Sequence, residues 1–400
     1  MKNFSSRLPR LGTENAFAVI GKAKKFENEV LKPKGQNLVY LQIGEPGFDT
    51  PDNISQAAIK AIKEGATHYT ATPGIPELRA AVAEKTSRET GVAYTAEDVM
   101  VTSGGKPIIF YMLNALLDPG DEVIIPNPAY PIYGSVTEYL GAKVVPLHLR
   151  EENNFNLDVA ELEQKITPKT KVLVINSPQN PTGAVFTEES IRAAGELAKK
   201  HDLWVFSDEI YNEMIHEGKH FSIASVSGMA ERTVILNGTS KTYAMCGWRI
   251  GWGVTKNTEM VAALERFACN DTSCPNAMSQ YAALEAVTGK ATQAAVDNML
   301  SEYKKRRDLL VGLVNEVPGM KCHSPKGAFY LMVNVRKLLD KLRISAAELC
   351  DRIMREAHVL ILPCTVFGVF GDDFVRFSYV STEENIIEGM KRIKKFVEAL

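Results

Sequence analysis

Short runs of β-branched and aliphatic residues recur along this chain, and segments with helical patterning separate most of them. Strands that are short, apolar and divided by helices favour a mostly parallel sheet with helices on both faces. The sequence therefore predicts an α/β protein. The predicted strands lie near residues 99–102, 122–125, 143–146, 171–176, 203–207, 233–236 and 250–254. The first predicted helices lie near residues 53–64, 75–90, 106–117 and 187–201.

The 400 residues are enough for one large domain and a smaller one. Beyond the predicted sheet, the chain continues with long helices, three further strands and a final amphipathic helix near residues 383–399. An N-terminal arm precedes an early helix near residues 14–30. The predicted parts are the arm (1–13), a large domain (51–295) and a small α+β domain built from both chain ends (14–50 and 296–400).

Composition and charge argue against several classes of partner. The net charge of −2 gives no electrostatic reason to expect nucleic acid or an anionic membrane. No apolar run approaches the ~20 residues of a membrane helix, and the N-terminus lacks the apolar core of a signal peptide. The six cysteines form no CxxC pair and have no histidines at metal-ligand spacing, so we predict no metal site. Free thiols and the missing signal together predict a cytoplasmic protein.

Ligands of such a sheet bind outside the carboxyl ends of its strands. The stretch 103–106, Ser-Gly-Gly-Lys, follows the strand predicted at 99–102 and opens a helix. Paired glycines (Gly104 and Gly105) let backbone N–H groups approach an anion, and the helix N-terminus favours negative charge. The spacing is not that of a Walker loop, because Met100 stands where the first glycine belongs. Taken alone, the paired glycines more often mark a tight strand-to-helix turn.

Two more strand ends carry polar residues. The loop 176–183, which contains Asn180-Pro-Thr-Gly, follows one strand and can aim an asparagine amide at a ligand oxygen. Asp208 closes another apolar strand, where a carboxylate needs a cationic or donor partner. The alternatives are a simple turn for the loop and a helix N-cap for the aspartate.

Lys241 follows a fourth strand, among small residues. Alone, it could be a solvated surface lysine, but one cofactor accounts for all four strand ends together. Pyridoxal phosphate has a phosphate for the glycines, a phenolic oxygen for the asparagine, a ring nitrogen for the aspartate and an aldehyde for a lysine. The aspartate would keep the ring nitrogen protonated, which makes the ring an electron sink. The four positions therefore predict a pyridoxal-phosphate enzyme.

These residues belong to longer motifs, and with them the chain resembles the class I/II aminotransferases, pyridoxal-phosphate enzymes of the aspartate aminotransferase fold. It looks most like their bacterial and archaeal aspartate and aromatic branch. The resemblance implies a large domain with a mostly parallel mixed sheet between helices, and a smaller α+β domain. The motifs are Ile43-Gly-Glu-Pro, Pro73-Gly-Ile-Pro-Glu-Leu-Arg, Asn180-Pro-Thr-Gly, Ser207-Asp-Glu-Ile-Tyr, Ser240-Lys, Gly247-Trp-Arg-Ile-Gly and Gly327-Ala-Phe-Tyr.

The resemblance implies three catalytic residues. Lys241 would form the Schiff base with the cofactor and move the proton between the substrate Cα and the cofactor carbon. Asp208 would pair with the ring nitrogen, and Tyr211 with Asn180 would hydrogen-bond the phenolic oxygen.

Further cofactor contacts follow from the same resemblance. Tyr130 would stack on the ring, and Tyr69 would reach the phosphate of a neighbouring subunit, which implies a homodimer with shared active sites. The phosphate would be held by Gly104, Gly105, Lys106, Ser240 and Arg249.

The substrate contacts implied by the resemblance centre on Arg376, whose guanidinium fork suits an α-carboxylate. Taken alone, this arginine could be a surface charge at a strand edge. Asn176 and Asn180 would support the carboxylate, and Gly44 would leave room for it. Two readings of the substrate side chain stay open. Lys106 could reach the distal carboxylate of an acidic substrate or only lend charge to the phosphate, and Phe329 could line an aromatic pocket with Phe17 and Tyr130.

The predicted function is ping-pong transamination through an aldimine at Lys241. The donor would be an L-amino acid, with acidic or aromatic ones favoured, and the acceptor a 2-keto acid such as 2-oxoglutarate. Other pyridoxal-phosphate chemistry on the same fold (β-elimination, a lyase reaction or amine oxidation) stays open, as does a non-catalytic binding domain.

Three positions depart from the family pattern. Gly238 replaces a common hydroxyl residue, Cys246 a common threonine and Cys364 a common glycine.

Overall fold

A seven-stranded sheet forms the centre of the computed structural model, which describes residues 4–12 and 15–400, with only the backbone for 15–18. In chain order the strands are β1 Val39–Tyr40, β2 Val99–Thr102, β3 Glu122–Asn127, β4 Lys143–His148, β5 Thr170–Asn176, β6 Trp204–Asp208, β7 Thr233–Gly238, β8 Gly251–Val254, β9 Lys321–Cys322, β10 Tyr330–Asn334, β11 Val359–Leu360, β12 Leu362–Pro363 and β13 Phe374–Ser378.

Helices cover both faces of the large sheet and surround the two smaller sheets. In chain order they are α1 Asn15–Phe26, α2 Asp52–Lys63, α3 Pro76–Thr90, α4 Lys106–Leu116, α5 Ile132–Tyr139, α6 Val159–Lys165, α7 Glu188–Lys200, α8 Thr258–Asp271, α9 Ala277–Thr288, α10 Lys290–Asn315, α11 Arg336–Leu342, α12 Ala346–Arg352 and α13 Glu383–Glu398. Within the residues that the structure describes, no helix is long and apolar enough to cross a membrane.

The large sheet is mostly parallel, and the predicted α/β class is confirmed. Its strand order is β2-β8-β7-β6-β5-β3-β4, and only β8 runs antiparallel to its two neighbours. Side chains alternate between the two faces of a strand. Leu236 of β7 therefore packs in the core under α4 and α8, whereas the preceding Ile235 packs with Leu78 of α3 on the other face.

Two smaller sheets draw on both ends of the chain. β1 pairs in parallel with β11, and β12-β13-β10-β9 form a four-stranded antiparallel sheet. The pairing of β1 with β11 joins the N-terminal and C-terminal parts of the chain, as a small domain made from both chain ends requires. The predicted boundaries, at 13/14, 50/51 and 295/296, stay predictions. In the described part of the arm, the Gly12 carbonyl accepts a hydrogen bond from Ser135 Oγ of α5 at 3.1 Å.

The topology brings the polar strand ends together. β5, β6 and β7 are parallel neighbours, and Asn176 at the end of β5 lies opposite Asp208 at the end of β6. β2 is antiparallel to β8, which is itself antiparallel to β7, so β2 runs in the same direction as β7. The carboxyl ends of all four strands therefore meet at one edge of the sheet.

Candidate active site

A cavity of about 480 Å³ opens at this edge of the sheet. Side chains from the large sheet, from β13 and from the loop after β1 all contribute to its wall. The predicted site residues on the wall are Gly44, Gly105, Lys106, Tyr130, Asn176, Asn180, Asp208, Tyr211, Ser240, Lys241, Arg249 and Arg376. The fold thus gathers most of the predicted site residues around a single space.

Lys241 lies on the turn that leaves β7. Its Nζ donates a hydrogen bond to the carbonyl oxygen of Gly44 at 2.6 Å and lies 3.8 Å from Cys246 Sγ. The ammonium also lies 5.7 Å from the centre of the Phe329 ring. A β-carbon added to Gly44 would lie 3.1 Å from the hydroxyl of Tyr330, so a glycine suits this crowded position. The amine therefore extends into the cavity, held by one strong contact and two weak ones.

Asp208 is the buried acid of the site, with 5% of its surface exposed. Its Oδ2 accepts a hydrogen bond from the Tyr133 hydroxyl at 2.5 Å, and its Oδ1 accepts one from the backbone N–H of Ile210 at 3.2 Å. Burial raises the pKa of Asp208 to about 6, although both hydrogen bonds act in the opposite direction. A cation placed against this carboxyl group would favour its charged form.

Sequence reasoning missed Tyr133, which has 1% of its surface exposed. Its ring meets those of Tyr130 and Phe206 at centroid distances of 5.8 and 6.0 Å. Burial, followed by the charge of Asp208, raises the pKa of this tyrosine well above its ordinary value, so its hydroxyl keeps the proton that it donates. In the sequence Tyr133 reads as an ordinary core tyrosine, because Tyr130 precedes α5 and the two residues share no helical periodicity.

An anion cradle lies at the N-terminus of α4. Gly104 has a φ of +88°, and a β-carbon there would come within 2.4 Å of Nη2 of Arg249. Arg249 is itself in the left-handed region (φ +58°) and donates through Nη1 to the carbonyl of Cys246 at 2.8 Å. Gly105 caps α4, whose first backbone N–H groups and dipole favour a negative charge. The missing side chain of Gly104 therefore leaves room for the guanidinium of Arg249 beside the N-terminus of α4.

At Gly238, one of the departures from the family pattern, the structure leaves little room for a side chain. It pairs with Gly251 where β7 and β8 meet, and a β-carbon on Gly238 would lie 2.8 Å from the Cα of Gly251 and 2.9 Å from the carbonyl of Ile250. Any side chain at this position would push the two strands apart. Ser240, two residues later, lines the cavity and supplies a hydroxyl on the same turn.

Arg376 on β13 has 5% of its surface exposed. Its Nη1 donates to Asn180 Oδ1 at 3.0 Å and its Nη2 to the Gln42 carbonyl at 2.7 Å. The guanidinium lies between two rings, with centroids at 4.4 Å (Tyr330) and 4.7 Å (Phe367). Within the described structure its buried Nε has no hydrogen-bond partner, which is costly for a charged group. A carboxylate is the ligand that such a fork fits.

The side chains of Asn176 and Asn180 make different hydrogen bonds. Asn180 orients Arg376, as described above. Asn176 Nδ2 donates to the carbonyl of Asp208 at 3.1 Å, and its Oδ1 accepts from the backbone N–H of Asn180 at 3.0 Å. Asn176 therefore ties the ends of β5 and β6 to the loop after β5, although it also borders the cavity. Its predicted substrate contact stays a prediction.

Phe329 is fully buried and is not part of the cavity wall, whereas its neighbour Tyr330 is. Tyr330 shares a hydrogen bond of 2.8 Å with the hydroxyl of Tyr211 and faces Arg376. The sequence analysis did not single out Tyr330, and the predicted substrate contact of Phe329 stays a prediction.

The last predicted residues lie around the mouth of the cavity or outside it. Lys106 Nζ lies 5.7 Å from the centre of the Tyr130 ring, and both residues line the cavity. Tyr69, between α2 and α3, has 89% of its surface exposed and does not line this chain's own cavity. Phe17 falls among the residues whose side chains lie outside the described structure.

Cys246 and Cys364, the two other departures from the family pattern, differ in whether they border the cavity. Cys246 borders the cavity and donates through Sγ to the Ser240 carbonyl at 3.1 Å, and burial raises the pKa of its thiol. Cys364 is fully buried, and burial raises the pKa of its thiol as well. Both thiols are therefore kept protonated.

Comparisons with known proteins cover almost the whole chain. The family model "Aminotransferase class I and II" matches residues 36–393. An aspartate/prephenate aminotransferase of Thermus thermophilus is 39% identical over 99% of both chains, and an aromatic-amino-acid aminotransferase of Thermococcus litoralis is 39% identical over 91% of this chain and 92% of its own. A solved structure of the Thermus thermophilus aspartate aminotransferase with maleate has a TM-score of 0.92 at 37% identity, covering 99% of this chain and 100% of the other.

Proposed function

The chain belongs to the class I and II aminotransferases, and on that basis we propose that it uses pyridoxal phosphate to move an amino group from an acidic or aromatic L-amino acid to a 2-keto acid such as 2-oxoglutarate. The observation that carries the proposal is that Lys241, Asp208 and Arg376 line one cavity. Pyridoxal phosphate, when bound, supplies an electron sink that labilises the bonds at the substrate Cα. The rest of the chemistry falls to residues of this chain.

Asp208 and the anion cradle would hold the two ends of the cofactor. Asp208 would accept a hydrogen bond from the protonated ring nitrogen, and the positive charge there would relieve the cost of burying this carboxylate. Gly104, Gly105, Lys106, Ser240 and Arg249 would bind the phosphate at the N-terminus of α4. Between them, Tyr130 would stack on the ring, and Asn180 and Tyr211 would donate to its phenolic oxygen.

Lys241 would be both the covalent anchor and the base. Its Nζ already extends into the cavity, and its contacts to Gly44 and Cys246 involve no buried ion pair that would have to break. Once the amino substrate has displaced it, the free amine of Lys241 can take the proton from the substrate Cα. The same amine can then deliver that proton to the cofactor carbon. Phe329, packed below Lys241, would restrict where this amine can move.

Arg376 would bind the α-carboxylate of both substrates. The rings of Tyr330 and Phe367 hold the plane of its guanidinium, and Asn180 with the Gln42 carbonyl fixes its rotation. A preorganised fork of this kind loses less entropy on binding a planar carboxylate than a lysine would. Orienting the carboxylate also orients the Cα–H bond toward Lys241.

The side chain of an acidic substrate and that of an aromatic substrate could bind in the same part of the cavity. Lys106 offers a cation for a distal carboxylate, while Tyr130, Ile109 and Val366 offer apolar contact. The names of the relatives, which act on aspartate, prephenate and aromatic amino acids, support both donors. The relatives are named as aminotransferases, so elimination or oxidation is not favoured.

The proposal includes a homodimer with shared active sites. Tyr69 is 89% exposed, and Ile59 and Ile62 of α2 and Tyr281 of α9 are exposed on neighbouring helices. An exposed apolar surface of this kind is typical of a subunit interface. A second copy covering it would be placed to receive Tyr69 at its phosphate site.

The proposal is tested by measuring both half-reactions separately. Purified protein loaded with pyridoxal phosphate is mixed with each of the twenty amino acids, and the keto acid released is counted with and without 2-oxoglutarate. We expect one keto acid per subunit without the acceptor and continued turnover with it. Continued release of keto acid without any acceptor would contradict transamination and favour elimination or oxidation.

A further inference from the structure

A second buried carboxylate lies directly behind the end of β6. Glu209 follows Asp208 in the chain and has 3% of its surface exposed. Asp208 lines the cavity, whereas Glu209 does not and instead contacts Ser207, two residues before it. This is the alternation expected along an extended chain. The two acids therefore lie on opposite sides of the same strand end.

Three donors surround the carboxylate of Glu209. Oε1 accepts hydrogen bonds from Ser207 Oγ at 2.8 Å and from Ser222 Oγ at 2.6 Å. Oε2 lies 3.0 Å from Nε2 of His220. The backbone N–H of Glu209 also donates to the Leu236 carbonyl of β7 at 2.8 Å, which fixes the position of the side chain. Donors to both oxygens favour a charged carboxylate over a carboxylic acid.

His220 is the titratable side chain that contacts the carboxylate of Glu209. Its Nε2 is the nitrogen that contacts Glu209, and its Nδ1 is buried with no hydrogen-bond partner in the described structure. A doubly protonated ring would leave a charged N–H donor unsatisfied at Nδ1, which is costly. The neutral tautomer with its proton on Nε2 leaves only a lone pair there. The hydrogen-bond geometry therefore favours the neutral tautomer with its proton on Nε2, which would leave Glu209 without a full counter-charge.

We propose that Glu209 is a positioning residue whose buried charge strengthens Asp208 as the partner of a protonated ring nitrogen. A negative charge behind Asp208 makes the whole strand end favour a cation in the cavity, and charges act over longer distances when they are buried. The inference rests on the proposed function, since it needs a ligand whose ring nitrogen contacts Asp208.

The charges around Glu209 are consistent with this influence. Burial is the first cause of the raised pKa of Asp208, and the charge of Glu209 acts in the same direction. The pKa values of Tyr94 and Glu89, which face Glu209 from the segment before β2 and from α3, are also raised by burial with a contribution from Glu209. Lys85, the cation on α3, pairs with Glu89 and Glu213 instead. On the cavity side, Lys241 acts on Asp208 in the opposite direction.

The test compares two ligands that differ only at the ring nitrogen. Dissociation constants from the apoprotein are measured for pyridoxal phosphate and for its 1-deaza analogue, in which carbon replaces the ring nitrogen. In Glu209→Gln we expect about tenfold weaker binding of pyridoxal phosphate, the effect of one pKa unit. Binding of the deaza analogue should change less than about twofold, because it has no nitrogen to protonate. Equal loss for both ligands, or no loss for either, would overturn the proposal.

Two variants separate charge from packing. Glu209→Asp keeps the charge while disturbing the hydrogen bonds, and His220→Gln keeps a neutral donor. Both should retain the wild-type preference for pyridoxal phosphate over the deaza analogue, and loss of that preference in Glu209→Asp would favour a purely structural role. Wild-type apoprotein that bound neither ligand would contradict the proposed function itself, which distinguishes that failure from a failure of this inference.

A measurement on the wild type avoids any question of folding. ¹⁵N NMR of the histidine rings at pH 7 should show one protonated and one unprotonated nitrogen for His220, assigned by comparison with His220→Gln. A doubly protonated His220 would compensate Glu209 and overturn the proposal.

Discussion

At the scale of single residues, Asp208 gives the clearest dependence on pH. Burial raises its pKa from 3.8 to about 6. A carboxyl group whose pKa is raised in the folded state stabilises the fold below its unfolded pKa, and this contribution is lost as the pH rises through the folded pKa. In the apoprotein, Asp208 therefore favours folding near pH 4 and opposes it near pH 7.

The Asp208→Asn substitution tests this in the apoprotein, because asparagine can still accept the hydrogen bond from Tyr133. Relative to wild type, the variant should gain stability as the pH rises from 4 to 7, by on the order of 3 kcal/mol for a shift of this size. Denaturant unfolding of both proteins at several pH values measures the difference. A difference that stayed constant with pH would show that Asp208 titrates as an exposed acid does.

Lys106 tests the substrate side chain. If its ammonium binds a distal carboxylate, Lys106→Ala should lower kcat/KM for aspartate and glutamate by about 10–100-fold, the effect of losing a charged hydrogen bond of about 1.5–3 kcal/mol. Activity toward phenylalanine and tyrosine should change much less. Equal losses for all donors, with weaker cofactor binding, would show that Lys106 serves the phosphate instead.

Charged residues at the ends of apolar strands could be predicted from the sequence as site residues. Asp208 and Lys241 each follow an apolar run, where a charged group is expensive without a partner. Tyr133 and Tyr330 could not be chosen in the same way, since a tyrosine is equally suited to a core. Their contacts to Asp208 and Arg376 depend on which face of α5 and of β10 meets the cavity.

At the scale of elements, the close approach of β7 and β8 explains the glycine at position 238. Gly238→Ala should destabilise the protein by about 1–3 kcal/mol, because its β-carbon meets the backbone of Gly251 and Ile250. Thermal unfolding measures the change. Gly312→Ala in α10 is the matched control, since no described residue outside its own helix lies within 4 Å of its added carbon and alanine favours a helix. Equal effects of the two substitutions would contradict the steric explanation.

Most elements of the large sheet could be read from the sequence because buried strands are short apolar runs between helices. The direction of β8 could not be predicted, since an antiparallel strand and a parallel one read alike when both faces are buried. α5 and α6 were missed as well. α5 has only eight residues and includes Gly134, and α6 has only seven, so neither has enough turns for a clear helical period.

At the scale of the whole molecule, shared active sites predict complementation between two inactive chains. Lys241→Ala removes the anchor, and Tyr69→Ala removes a group that is 89% exposed in its own chain. In a heterodimer of the two variants, one site would combine an intact Lys241 with Tyr69 from the partner. Refolding the variants together should therefore restore activity that neither has alone, up to about half of the wild-type activity if the sites act independently. No recovery in verified heterodimers would contradict sharing.

The central claim is that Lys241 is the covalent anchor and the base of this enzyme. Its most direct test is the turnover of purified Lys241→Ala supplied with excess pyridoxal phosphate, an amino donor and 2-oxoglutarate. Turnover should fall by at least about 10²–10⁴-fold, the contribution of a positioned acid–base group. The wild-type visible absorption, with its shift on adding the donor, should also be lost. A cofactor-loaded variant that turned over at the wild-type rate would contradict the account.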